Sequence, residues 1–202
     1  MNRDFYRRLR GVLRPFYNLF WPSTVTGLEN IPREGGFIMC ANHVHWRDPL
    51  FLAVRMPVRY YVYLGKAELY KNPIAARILG DKGLGGIPIN RGEADIGAVR
   101  KALAVVKEGH ALGIFPQGTR SRDNTPTPML NGVSMIAVRA GAPIIPVYLD
   151  GPYRLFHHVD VRIGEPVDIA DLGRKYDAAT LTEVTHRIEK AIWGMREGIA
   201  EA

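Results

Sequence analysis

The chain has 202 residues, of which 47% are hydrophobic, which suits one globular domain with a buried core. Its single cysteine excludes a disulfide framework and a cysteine metal cluster, and it has no run of about 18 apolar residues to span a membrane. A formal net charge of +7 fits nucleic acid, anionic membrane or anionic substrate as partner, but no nucleic-acid module and no long basic run is present.

Residues 1–21 lack the continuous apolar centre of a secretory signal. Phe5, Leu9, Val12, Leu13, Phe16 and Phe20 recur at helical spacing, and Arg3, Arg7, Arg10 and Arg14 recur on another face. Tyr17 and Trp21 add interfacial aromatics. Residues 1–22 thus read as a basic amphipathic helix lying on an anionic membrane surface, ahead of a domain over 23–202. A helix docked on that domain, with its arginines in water, is the alternative. Pro15 is expected to kink the helix or to start a second one near Leu13.

Thr24 to Gly27 reads as a short strand and Asn30 to Gly36 as a turn. Gly36 to Ala41 is a continuous apolar run, the mark of a buried strand. It leads into Asn42-His43-Val44-His45-Trp46-Arg47-Asp48-Pro49. Asp before Pro opens a helix, with the carboxylate expected as its cap. Tyr60 to Leu64 and Leu84 to Ile89 are β-rich, and Lys66 to Leu79 is helical with a break at Asn72-Pro73. Glu93 to Glu108 is a helix with an apolar stripe of Ile96, Val99, Leu103 and Val106, stopped by Gly109. Ala111 to Phe115 is a strand that ends in Pro116-Gln117-Gly118-Thr119-Arg120. A polar loop over 122–128, a helix over 132–140 and a strand over 144–149 follow, the last bounded by Pro143 and Pro146. Val159 to Val167 reads as an edge strand or hairpin arm. Thr180 to Met195 is a helix with Leu181, Val184, Ile188, Ile192 and Met195 on one face. Strands alternating with helices predict an α/β layered domain with a mostly parallel central sheet flanked by helices, plus the N-terminal amphipathic helix.

The corner between His43 and Asp48 is short enough to fold the carboxylate back onto one imidazole nitrogen. The other nitrogen is then available to take a proton from a substrate hydroxyl, and no serine or cysteine nucleophile is required. A plain hydrogen-bonded His–Asp pair is the competing reading. Cys40, inside the strand, reads as a packing residue, with an acyl thioester as the alternative. His43 and His45, as alternate residues of a strand, would share a face and form a possible metal pair, as in metal-dependent hydrolases. His110, His157, His158 and His186 supply no recognisable third ligand.

Three further stretches join the corner: Gly86-Ile87-Pro88-Ile89-Asn90-Arg91, Phe115-Pro116-Gln117-Gly118-Thr119-Arg120-Ser121 and Ala142-Pro143-Ile144-Ile145-Pro146-Val147. In this order and rough spacing the four resemble the sequence blocks of the glycerolipid acyltransferases, the 1-acylglycerol-3-phosphate acyltransferase family. The first and third blocks carry the resemblance. It implies transfer of a fatty acyl group from coenzyme A or acyl carrier protein to the 2-hydroxyl of 1-acylglycerol 3-phosphate (lysophosphatidic acid), giving phosphatidic acid. His43 would be the base and Asp48 its orienting partner. Arg91, Gln117, Gly118, Thr119 and Arg120 would bind the glycerol phosphate. Lys66 and Pro146 would sit near the oxyanion or the acyl donor. No cofactor or metal is implied, and the enzyme would work peripherally at the cytoplasmic face of a membrane. One residue departs from the pattern: the family usually has Glu where this chain has Gln117, which keeps hydrogen bonding but loses charge. A different lysolipid acceptor, a weakly catalytic lipid-binding protein and a hydrolase using His43 and His45 are the alternatives.

Overall fold

A computed structural model describes residues 1–90, 95–151, 153–173 and 176–197. Its centre is the apolar run before the His43 corner: in β2 (Phe37–Ala41) every residue is buried. A strand buried on both faces needs neighbours on both edges and helices above and below. β5 (Ala111–Ile114) lies along one edge, with Phe37 opposite Ala111 and Cys40 opposite Ile114. β6 (Ile144–Leu149) lies along the other, with Ile38 opposite Ile144 and Ala41 opposite Val147. β3 (Tyr61–Lys66) joins β5, and β4 (Ile87–Ile89) joins β3. All of these pairings are parallel. Beyond β6 the direction reverses: β7 (Val161–Ile163) pairs antiparallel to β6, and β1 (Val25–Thr26) follows β7 at the edge. The order is β1-β7-β6-β2-β5-β3-β4, the mostly parallel sheet expected from the alternating pattern.

The period-2 alternation of β2 divides the core. Phe37, Met39 and Ala41 face a cluster with Tyr17 and Trp21 and with Phe51, Leu52 and Val54 of α2 (Asp48–Arg55). Ile38 and Cys40 face a second cluster. It is built from α4 (Ile96–Lys107), α5 (Gly132–Ala140) and α6 (Ala178–Glu197). α3 (Pro73–Leu79) begins at Asn72, whose side chain caps two N–H groups, which is the break expected there. α6 buries Val184, Ile188 and Ile192 as the spacing predicted. α4 departs from prediction: it buries Ala98, Ala102 and Val106, while Ile96 stays exposed. Small side chains let that helix approach the sheet closely, so Ala98 and Ala102 lie innermost with Val106, while Val99 and Leu103 pack partly buried beside them.

α1 (Arg3–Phe20) is one continuous helix with Pro15 inside it, not a kinked pair. The carbonyl that Pro15 leaves unpaired belongs to Gly11, and both residues face solvent, where water replaces the lost bond. The helix is docked. Tyr6 and Tyr17 are buried, and the Tyr6 hydroxyl accepts from the Tyr61 N–H. Arg10 lies over the rings of Tyr6 and Tyr60 and donates to the carbonyls of Ala53 and Arg59, so it clamps the helix to the domain instead of facing outward. The apolar stripe is split. Leu9, Leu13 and Phe20 pack inward, whereas Val12, Phe16 and Leu19 remain exposed. Among the described residues no helix is long and apolar enough to cross a membrane.

Candidate active site

Because β2, β3, β4, β5 and β6 run parallel, the residues that follow them emerge on one edge of the sheet, where such sheets gather ligands. His43 follows β2. Its Nδ1 lies 2.7 Å from Asp48 Oδ2. A carboxylate only accepts, so Nδ1 carries the proton and Nε2 is left as the proton-accepting nitrogen. Asp48 is wholly buried and His43 nearly so, with 12% of its side chain exposed. Asp48 does not cap its own helix as expected. Oδ2 reaches back instead, accepting from the N–H groups of Val44 at 2.8 Å and His45 at 2.9 Å. The corner is thereby a closed loop of hydrogen bonds around one carboxylate oxygen.

The loop after β5 grips His43 from the other side. Gln117 Oε1 accepts from the His43 N–H at 2.6 Å, and the His43 carbonyl accepts from the Ser121 N–H at 2.8 Å. Phe115 stacks on the imidazole with ring centres 4.3 Å apart, and Tyr63 stacks on Phe115. Tyr63 can lie there because its ring crosses Gly113, where a β-carbon would collide with it. Asn42 explains the residue before the histidine. Its amide bonds both the N–H and the carbonyl of Leu149, and it donates to Asn124 at 2.8 Å. Asn124, at φ 57°, donates in turn to Tyr148 and Leu149. Three carboxyl-end loops are locked together behind the histidine.

The sequence-named residues divide accordingly. His43 and Asp48 meet as expected. Gln117 is buried, with one end of its amide on His43 and the other on Thr127, so it braces the corner in this structure instead of facing the mouth. Gly118 takes φ +67° in the turn, and Thr119 and Arg120 beyond it are exposed. Arg120 acts on His45 through its charge. Arg91 lies outside the described residues. Lys66 ends β3, half exposed, with Glu68 at 3.2 Å. Pro146 does not bound a strand near the mouth: it lies mid-strand in β6, opposite Cys40, with its ring near Gly164. Cys40 is fully buried, and burial pushes its thiol far above the ordinary range, so it is poorly suited to nucleophilic attack. His45 is not on a strand with His43, because β2 stops at Ala41. Burial, with the charge of Arg47, holds it below the usual histidine range. Among the described residues no three His, Cys, Asp or Glu side chains gather to hold a metal ion. Sequence reasoning missed Phe115's stacking and Asn124. Asn124 alone left a signal, an asparagine amid turn residues.

Among the described residues no serine, threonine or cysteine is bonded to Nε2. A histidine oriented by a buried carboxylate can serve as an acid–base group for a hydroxyl that a substrate brings. The family described as Acyltransferase matches residues 22–150, and the chain belongs to it. It is 29% identical over 190 residues to the 1-acyl-sn-glycerol-3-phosphate acyltransferase of Bacillus subtilis (strain 168), across 90% of this chain and 94% of that protein. The protein of the same description from Streptococcus pneumoniae (strain ATCC BAA-255 / R6) is 29% identical over 196 residues, across 93% and 72%. The crystal structure of the 1-acyl-sn-glycerophosphate acyltransferase PlsC from Thermotoga maritima superposes with a TM-score of 0.73 at 28% identity, covering 95% of this chain and 79% of that one.

Proposed function

We propose that the chain moves a fatty acyl group from a thioester, on coenzyme A or acyl carrier protein, to the 2-hydroxyl of 1-acylglycerol 3-phosphate, forming phosphatidic acid. The observation that carries this reading is the 2.7 Å bond from His43 to Asp48, on the edge where the parallel strands end. Relatives matched over most of both chains carry the name of that activity. His43 Nε2 takes the hydroxyl proton as the oxygen attacks the thioester carbonyl. The same nitrogen returns the proton to the departing thiolate when the carbon–sulfur bond breaks. Asp48 keeps the imidazole in the required tautomer and stabilises its charged form. Transfer is direct, with both substrates bound, and needs neither metal nor covalent intermediate. Arg120, with Gly118, Thr119 and Arg91, receives the phosphate, for which a guanidinium offers two parallel donors. The chain works as a peripheral protein on an anionic membrane at its cytoplasmic face. The exposed Val12, Phe16 and Leu19 of α1, with the exposed Arg8 beside them, support this.

Thiol release from acyl-CoA with lysophosphatidic acid as acceptor tests the reading. Turnover is expected for the natural chain, and His43→Ala should lower it by about 10²–10⁴-fold without loss of folding. A His43→Ala protein with more than about a tenth of normal turnover would rule out the mechanism.

A further inference from the structure

The mechanism uses one oxygen of Asp48 and leaves the other without a role. Oδ2 takes three hydrogen bonds; Oδ1 is buried and takes none. An unpaired buried carboxylate oxygen is costly, so it points to a donor within reach. The Tyr153 hydroxyl is likewise buried and unbonded. Burial first, then the Asp48 charge and its standing as a hydrogen-bonding neighbour, keep this phenol neutral well above its ordinary range. Tyr17 and Tyr63 also sense the Asp48 charge, but for them Asp48 is an electrostatic neighbour alone.

Packing aims Tyr153 at the corner. Its ring stands edge-on to Phe51 with centres 5.2 Å apart, and 5.3 Å from the ring of His45. Gly151, two residues earlier, is pressed against the corner as well: a β-carbon there would stand 2.9 Å from Val44 Cγ2. The segment after β6 thus closes over Val44 and His45, the two residues whose N–H groups hold Asp48.

We propose that Tyr153 is a positioning residue for the acyl transfer: its hydroxyl donates to Asp48 Oδ1 once substrates fill the site, fixing the carboxylate that orients His43. This rests on His43 as the general base. Catalytic hydrogen bonds commonly tighten only in the substrate complex, and here both atoms are buried and unpaired. Other charged or titratable groups around the pair are His45 and Arg47 on the corner, Arg120 from the loop after β5, Tyr17 from α1 and Tyr63 from β3.

Tyr153→Phe removes the oxygen and keeps the ring. In the full chain, assayed by thiol release from acyl-CoA with lysophosphatidic acid, kcat should fall about tenfold, the scale of one hydrogen bond to a charged group. KM for both substrates should hardly move. The acid limb of kcat, which reports the substrate complex, should shift to higher pH, because a carboxylate relieved of its donor binds the imidazolium more strongly. In an Asp48→Asn background the same substitution should cost little, since both act through one contact. A Tyr153→Phe enzyme with unchanged kcat and pH limb overturns the proposal. So does one whose loss is accompanied by a lower Tm with the limb unmoved. His43→Ala, measured alongside, separates the two readings. If it stays active, the general-base reading fails; if it is dead while Tyr153→Phe behaves normally, only the positioning role fails.

Discussion

His43 is held from four directions: Asp48 on Nδ1, Phe115 on the ring face, Gln117 on the N–H and Ser121 on the carbonyl. Gln117 is therefore best tested as a brace. In Gln117→Glu one carboxylate oxygen still accepts from the His43 N–H, and the Thr127 hydroxyl can turn to donate to the other. Turnover in that variant should stay within about threefold of normal, since both bonds survive. Gln117→Leu strands the part-buried His43 N–H, so it should lower stability by about 1–3 kcal/mol and kcat with it. Melting curves and turnover of the two variants decide the matter; equal losses in both would mean that the amide has a further task in binding substrate. The His43–Asp48 pair was legible from sequence because the partners are five positions apart and a tight corner joins them. The turn of Gln117 inward was not, because its partner lies 74 residues away.

α1 shows an element whose composition carried two meanings at once. Its sequence predicts an apolar face on the membrane with arginines on another face, or else a helix docked on the domain with its arginines in water. The docked helix uses Tyr6, Tyr17 and Arg10 for the domain and leaves Val12, Phe16 and Leu19 outside. Hydrophobic periodicity reports that a face is apolar but not what covers it. The two faces make separable predictions. Replacing Val12, Phe16 and Leu19 together with serine should leave Tm within about 2 °C of normal, as surface changes do. It should also weaken binding to anionic vesicles. That binding should fall as salt rises, because the arginines on this helix are screened. Tyr17→Ala, which empties a buried aromatic site, should cost about 3–5 kcal/mol. If the serine variant binds vesicles as tightly as the natural chain, the outward face is not the membrane contact. Deleting residues 1–21 would remove both faces and the clamp of Arg10, so loss of the fold is expected from that change.

At the scale of the whole molecule, the site is a seam where three loops meet, and its keystone is the Asn42–Asn124 pair. Asn124→Ala loses the bonds to Asn42, Tyr148 and Leu149 and forces a β-carbon residue without polar compensation into φ 57°. A loss of about 3 kcal/mol, or about 6–12 °C in Tm, is expected for a chain of this size, with activity falling in parallel. A melt unchanged within about 1 °C would show that the seam does not depend on this network. The sequence by itself determined what is local. Alternating apolar runs and helical stripes require a mostly parallel α/β sheet, and a histidine five residues before an aspartate at a strand end requires a corner that can pair them. The tertiary structure alone decided the rest: the strand order, the inward turn of Gln117, the Asn42–Asn124–Leu149 lock and the approach of Tyr153 to Asp48. These contacts join residues 74, 82 and 107 positions apart. Such pairings leave no periodic trace along the chain, because they follow from which loops the parallel sheet brings to a common edge and not from the spacing within any one of them.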